Sequence, residues 1–209
     1  MPAGPQSEGV QARFALLGDS IAWGQGAARP AERLGPRLAA ELQAHGHDLE
    51  HRVFAVPGAR SRDLAGQVDA AEPWAPHLVL IVIGANDLTH REPVETAVGA
   101  LSDAVRRLRA GGAEVVVAPA PDLGAVPHVP VSLRAAVRHA SDVLRRRQGE
   151  VVRESGGRVA DPDGRASRAF AGDATLFSAD RFHPSSAGYA VIADAVLPAL
   201  LEAATSPRA

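Results

Sequence analysis

Five residues of this 209-residue chain have the types and settings that acyl-transfer chemistry needs. Ser20 stands in "LLGDSIAWGQG" (16–26), Gly58 and Asn86 follow further along, and Asp180 and His183 share "SADRFHPSSAGY" (178–189). Cleaving an acyl bond through a covalent intermediate takes a hydroxyl nucleophile, a base for its proton, and N–H donors for the oxyanion. Ser20 offers the hydroxyl, Gly58 a flexible backbone amide and Asn86 a carboxamide donor. His183 offers the base. Asp180 lies three residues upstream, close enough for its carboxylate to fold back in a tight turn and orient the imidazole. Each residue also has a plainer reading. Serine is a preferred helix cap, a lone glycine is a turn residue, and Asn86 and Asp87 suit turns or caps. Asp19 reads as support for its loop, and Asp87 as structural.

The elements that must position these residues are legible in the apolar pattern. "RFALLGD" (13–19), "HRVFAV" (51–56), "HLVLIVIGA" (77–85), "EVVVAPA" (114–120) and "GRVAD" (157–161) are short runs rich in Val, Ile and Leu. Runs apolar on both faces suit strands covered on both sides, as in parallel sheets. Helical patterns at roughly 30–45, 61–71, 93–110, 131–154 and 185–202 lie between and after them. The alternation predicts an α/β fold, a doubly wound five-stranded parallel sheet between two helical layers. In such sheets ligands bind beyond the carboxyl ends of the strands, where the strand order reverses. Ser20, Gly58 and Asn86 each follow a strand, so this fold would bring three loops to one rim. Pro184 suits the first position of the last helix, directly after His183. Residues 162–182 are long for a loop and predict a short helix or a flap over the site.

Four of these segments together resemble the blocks of the GDSL or SGNH hydrolases, a family of serine esterases and lipases, in that family's order over about residues 13–200. "LLGDSIAWG" resembles the block with the nucleophile, which falls on Ser20. "VFAVPGARSRDL" resembles the second block, which puts the oxyanion-hole glycine at Gly58. "IVIGANDL" resembles G-x-N-D, with its asparagine at Asn86, and "DRFHPSSAGY" resembles D-x-x-H-P, with acid and base at Asp180 and His183. The resemblance implies a three-layer, flavodoxin-like fold and an oxyanion hole made of the Ser20 and Gly58 amides and the Asn86 side chain. Ile21 departs from the family's usual leucine and conserves its apolar volume. The G-x-S-x-G elbow of the other large serine-esterase fold is absent from the sequence.

Composition narrows the alternatives. The chain is 46% hydrophobic and 22% charged, a globular balance. Its formal charge of -2 gives no reason to expect a nucleic-acid partner. The runs "RRLR" (106–109) and "LRRRQ" (144–148) fall in helical patterns and read as solvated faces. No lysine is present, which removes the phosphate-loop lysine and Schiff-base chemistry. With no cysteine, disulfides and thiolate metal sites are excluded. "HGHDLEH" (45–51) lacks a further ligand cluster, and "DPDG" (161–164) begins like a calcium loop but has Gly172 where the bidentate glutamate belongs. "GQG" (24–26) is too short for a dinucleotide fingerprint. Trp23 and Trp74 suit packing as well as a pocket wall.

The expectation is therefore a flexible tail over residues 1–12 and one catalytic domain over 13–205, cleaving short- to medium-acyl esters without metal or organic cofactor. The N-terminus lacks a signal-peptide core, and the longest apolar run, "LVLIVIGA", is short of a membrane span. A small-molecule ester is the expected partner and the cytoplasm the expected location, with oligomeric state open. The alternatives are a carbohydrate O-deacetylase, a thioesterase or lysophospholipase using the same residues, a non-catalytic acyl-binding module, or a flavin- or nucleotide-binding module.

Overall fold

The computed structural model describes residues 11–206; most of the expected tail therefore lies outside the described residues. Five parallel strands form one sheet: β1 (Ala12–Gly18), β2 (Leu49–Val53), β3 (Leu78–Val82), β4 (Glu114–Ala118) and β5 (Arg158–Val159). Their order is β2-β1-β3-β4-β5, the flavodoxin-like order that reverses between β1 and β3. Eight α-helices accompany them among the described residues: α1 (Ser20–Trp23), α2 (Leu34–Ala44), α3 (Leu64–Ala71), α4 (Ala85–Thr89), α5 (Val94–Ala110), α6 (Val131–Glu154), α7 (Arg165–Gly172) and α8 (Ser186–Ala204).

Alternation along the strands divides the core into two layers. Phe14 and Leu16 of β1, Leu78, Leu80 and Val82 of β3, and Val116 of β4 face α2 and α8, meeting Leu34, Leu38, Leu42, Tyr189, Val196 and Leu200. Ala15 and Leu17, Val79 and Ile81, and Val115 and Val117 face the other way, onto Leu64 and Val68 of α3, Leu101, Val105 and Leu108 of α5, and Val152 of α6. Both faces of the three central strands are thus covered.

The edges differ from expectation. β3 is buried throughout and β1 and β4 are buried beyond their first one or two residues, whereas β2 leaves Val53 39% exposed and β5 forms a ladder over two residues rather than five. Asp161 ends β5: its backbone turns at φ +46°, and its carboxylate accepts the N–H groups of Arg165 and Ala166 at 2.7 and 3.0 Å, starting α7. The segment 162–182 therefore carries the short helix, followed by a 3-10 turn at Ala174–Leu176. The first long helix begins at Leu34, after a 3-10 turn at Pro30–Glu32, and the last begins at Ser186 with Ser185 as its cap, so Pro184 lies outside it.

The arginine runs do lie on helix faces, where Arg107 meets Asp69 and Glu72 and Arg147 meets Glu95 and Glu150. Helix α8 is long and apolar enough to cross a membrane, with mean hydropathy 1.5 over its apolar window, although polar residues interrupt its apolar runs. Its buried residues Tyr189, Ala193, Val196, Leu200 and Ala203 pack against the sheet, so it serves here as a core helix.

Candidate active site

The site forms where β1 and β3 end side by side. Gly18 closes β1 at φ +129°, and a Cβ there would stand 1.9 Å from the Val82 carbonyl oxygen, so the two strand ends approach closely only because residue 18 is glycine. Asp19 then donates its N–H to that same oxygen at 3.1 Å and caps α1 through Oδ1, which accepts from the Ile21 N–H at 2.9 Å. Gly24, in the left-handed region, ends the single turn. Ser20 is consequently the first residue of a helical turn at the switch point, both cap-adjacent and poised at the mouth of a strand.

Two buried glutamines brace this rim. Gln67 of α3 accepts the Gly18 N–H at 2.7 Å and donates to the Gly18 carbonyl at 2.8 Å. Gln148 of α6 accepts the Ala120 N–H at 2.8 Å and donates to the Ile83 carbonyl at 3.1 Å. They satisfy backbone groups that strand ends would otherwise bury unpaired. The sequence signal was available: Gln67 lies with Leu64, Val68 and Ala71 on one apolar stripe, and Gln148 with Leu144 and Val152.

After β3, Gly84 leads into α4, placing Asn86 beside the Ser20 turn. Asn86 Nδ2 donates to the Ala59 carbonyl at 3.0 Å. Asp87, buried, accepts from the Ser61 N–H at 3.0 Å and the Ser61 hydroxyl at 2.8 Å, tying the loop after β2 to α4. Burial pushes the Asp87 carboxyl upward, against those two hydrogen bonds.

The loop before α8 supplies the remaining pair. Asp180 Oδ1 accepts from the Ser178 hydroxyl at 2.8 Å and from the Phe182 and His183 N–H groups at 2.9 Å each. Its Oδ2 lies 2.6 Å from His183 Nδ1, and His183 Nε2 lies 3.0 Å from Ser20 Oγ. Burial pulls the Asp180 carboxyl upward, yet the imidazole and the three donors outweigh it and hold the group well below the usual carboxylate range. Phe182 packs edge-on against the His183 ring, 5.0 Å between centroids.

Ser20, Asn86 and His183 border an apolar cavity of about 80 Å³, walled by Leu123, Val126, Phe170, Phe177, Phe182 and Ile192. Gly58 stands outside that lining, exposed with Val56 and Pro57 on the adjoining loop at φ +84°, one residue from the carbonyl that fixes Asn86. The structure thus brings three of the five sequence-derived residues around one cavity, holds Asp180 behind them on His183, and leaves Gly58 outside the lining. The phenylalanine wall came from 162–182, where periodicity is too short to show which side chains turn inward. Trp23 stacks under the Arg33 guanidinium and Trp74 packs on Phe54 and Arg52; neither lines the cavity. Among the described residues, no group of three or more His, Asp or Glu is placed to hold a metal.

An open parallel sheet of order 2-1-3-4-5 with a serine–histidine–aspartate chain at its switch point defines a three-layer α/β protein with a hydrolase-like site. More particularly, the chain belongs to the GDSL-like lipase/acylhydrolase family, whose family model matches residues 16–191. It is 39% identical over 195 residues to a GDSL-like esterase of Mycobacterium tuberculosis, covering 91% of this chain and 62% of that protein. The chain therefore spans less than two thirds of that relative's length.

Among solved structures, the esterase EstA from Pseudoalteromonas sp. superposes with TM-score 0.71 at 18% identity, covering 92% of this chain and 98% of that one. Axe2, an acetylxylan esterase from Geobacillus stearothermophilus, superposes with TM-score 0.68 at 22% identity, covering 90% and 94%. At these identities the two structures speak to the fold.

Proposed function

We propose that this chain hydrolyses carboxylic esters through an acyl-enzyme on Ser20. The observation that carries the reading is the unbroken hydrogen-bonded chain from Ser20 Oγ through His183 to Asp180, beside an apolar cavity that Ser20 itself lines. Ser20 Oγ attacks the ester carbonyl while His183 Nε2 takes its proton, and Asp180 holds the Nδ1–H and stabilises the imidazolium. The oxyanion is received by the Ser20 and Gly58 amides and the Asn86 carboxamide. One Asn86 N–H is spent on Ala59, which fixes the plane of the group and leaves the second N–H to donate. His183 then returns the proton to the leaving alcohol, and water repeats the sequence on the acyl-enzyme.

The cavity supports a short acyl group. Its apolar wall, which includes Phe170 and Phe177 packed edge to face at 5.0 Å, suits a hydrocarbon chain, and its volume of about 80 Å³ suits a short one.

The experiment is hydrolysis of p-nitrophenyl esters from acetate to palmitate by the wild type and Ser20→Ala, with labelling by a serine-directed phosphonate. Activity on the short esters that vanishes in Ser20→Ala supports the reading. A folded Ser20→Ala protein that keeps most of its activity overturns it. If neither turnover nor labelling occurs, the rim is an acyl-binding surface and Ser20 only begins a helix.

A further inference from the structure

The turn that carries Ser20 holds a buried carboxyl that ester cleavage does not use. Asp19 is 1% exposed; Oδ1 accepts the Ile21 N–H, and Oδ2 has no hydrogen-bond partner among the described residues. Its surroundings offer an ionised carboxylate little support. Asp87, from α4, adds a like charge. Tyr189, from α8, gives its phenolic proton to the Gln25 carbonyl at 2.7 Å. Arg33, at the head of α2, lies over the Trp23 ring, its guanidinium carbon 4.2 Å from the centroid. His183 turns Nε2 to Ser20 and Nδ1 to Asp180. A carboxylate buried with one oxygen unpartnered costs far more than the neutral acid in the same place. Burial above all, with the like charge of Asp87 adding to it, pushes the Asp19 carboxyl up to about 7 against the pull of the Ile21 N–H.

We propose that Asp19 is a positioning residue that works as a neutral acid: up to about neutral pH it keeps its proton in the folded protein, caps the Ser20 turn uncharged, and so places the nucleophile without a negative charge beside the oxyanion. The positioning half rests on Ser20 being the nucleophile; the protonation half does not. Asparagine reproduces the shape and the acceptor of the neutral acid, whereas alanine removes the cap.

The sign of the pH effect follows from linkage. A carboxyl raised on folding contributes stability that is present below its ordinary range and lost as pH rises through about 7. The test measures thermal midpoints and kcat/KM for the wild type, Asp19→Asn and Asp19→Ala between about pH 5 and 9. Asp19→Asn should gain thermal midpoint relative to the wild type as pH rises, and should keep kcat/KM within about threefold at pH 6, while Asp19→Ala loses roughly tenfold or more. Parallel stability curves for wild type and Asp19→Asn, or an Asp19→Asn loss as deep as that of Asp19→Ala, overturn the proposal.

Should Asp19→Asn not fold, carboxyl-carbon NMR of the wild type, with Asp19 assigned through its own backbone, decides the protonation half. Titration near neutrality supports it, and titration in the ordinary aspartate range overturns it. If Ser20→Ala retains ester hydrolysis, the ester-cleavage reading fails separately, and the stability and NMR results still judge the proton.

Discussion

Asp180 is held by more than the imidazole it orients: Oδ1 collects three donors from its own loop and Oδ2 is left for His183. This frees one carboxylate oxygen for a single task and keeps the group ionised. Asp180→Asn should therefore lower kcat by about 10³–10⁴, the loss expected when the imidazole tautomer is no longer fixed, with KM little changed. The same residue predicts an acid-side effect on stability. Its carboxyl is depressed on folding, so its contribution is present above the ordinary aspartate range and is lost as pH falls through the folded value. The gap in thermal midpoint between wild type and Asp180→Asn should be full at neutral pH and close as the solution is acidified. A gap that persists unchanged in acid would sink this account. Asn86→Ala should cost about 10²–10³ in kcat, the size reported for loss of one oxyanion donor; a loss confined to KM would instead mark Asn86 as a binding group.

The strand ends show at the level of elements why a parallel sheet needs help at its rim. Where β3 and β4 run out, the Ile83 carbonyl and the Ala120 N–H would be buried without partners, and one side chain from α6 serves both. Gln148→Leu keeps much of the volume and removes both hydrogen bonds, leaving two buried backbone groups unpaired. The expected loss is about 2–5 kcal/mol, read from denaturant unfolding. A loss below roughly 1 kcal/mol would mean that water or a backbone shift replaces the clamp. Helix α7 is the opposite case. None of its residues is buried, and its hold on the fold runs through side chains such as Phe170, which reaches toward Gly188, where a Cβ would meet its ring at 2.8 Å. Phe170→Ala should enlarge the cavity beside Ser20 and, on the proposed function, shift the preferred ester toward longer chains, seen as a higher kcat/KM for octanoate relative to acetate. An unchanged profile would remove Phe170 from the cavity wall.

Across the whole molecule, stability and chemistry are segregated. The three central strands are covered by two apolar layers, while the groups that meet Ser20 come from loops and short helices on one rim. Hydrogen exchange should be slowest in β1, β3 and β4 and fastest in 165–176, because protection follows buried contacts; equal protection in α7 and β3 would contradict this division.

The sequence by itself determined the alternation of strand and helix, because Val, Ile and Leu runs and helical stripes are local patterns. It also singled out Ser20, Gly58, Asn86, Asp180 and His183 as candidates, because their placement after strand ends and before the last helix, and the four blocks that resemble a family, are local features. Only the tertiary structure decided that β2 and β5 are edges, that Gly58 stands outside the lining of the cavity, and that Phe170, Phe177 and Phe182 form its wall. It alone shows that Asp19 is sealed from water beside Asp87. Burial and side-chain direction are sums over neighbours distant in the chain: His183 reaches Ser20 across 163 positions, and no local pattern encodes a distance of 3.0 Å between them.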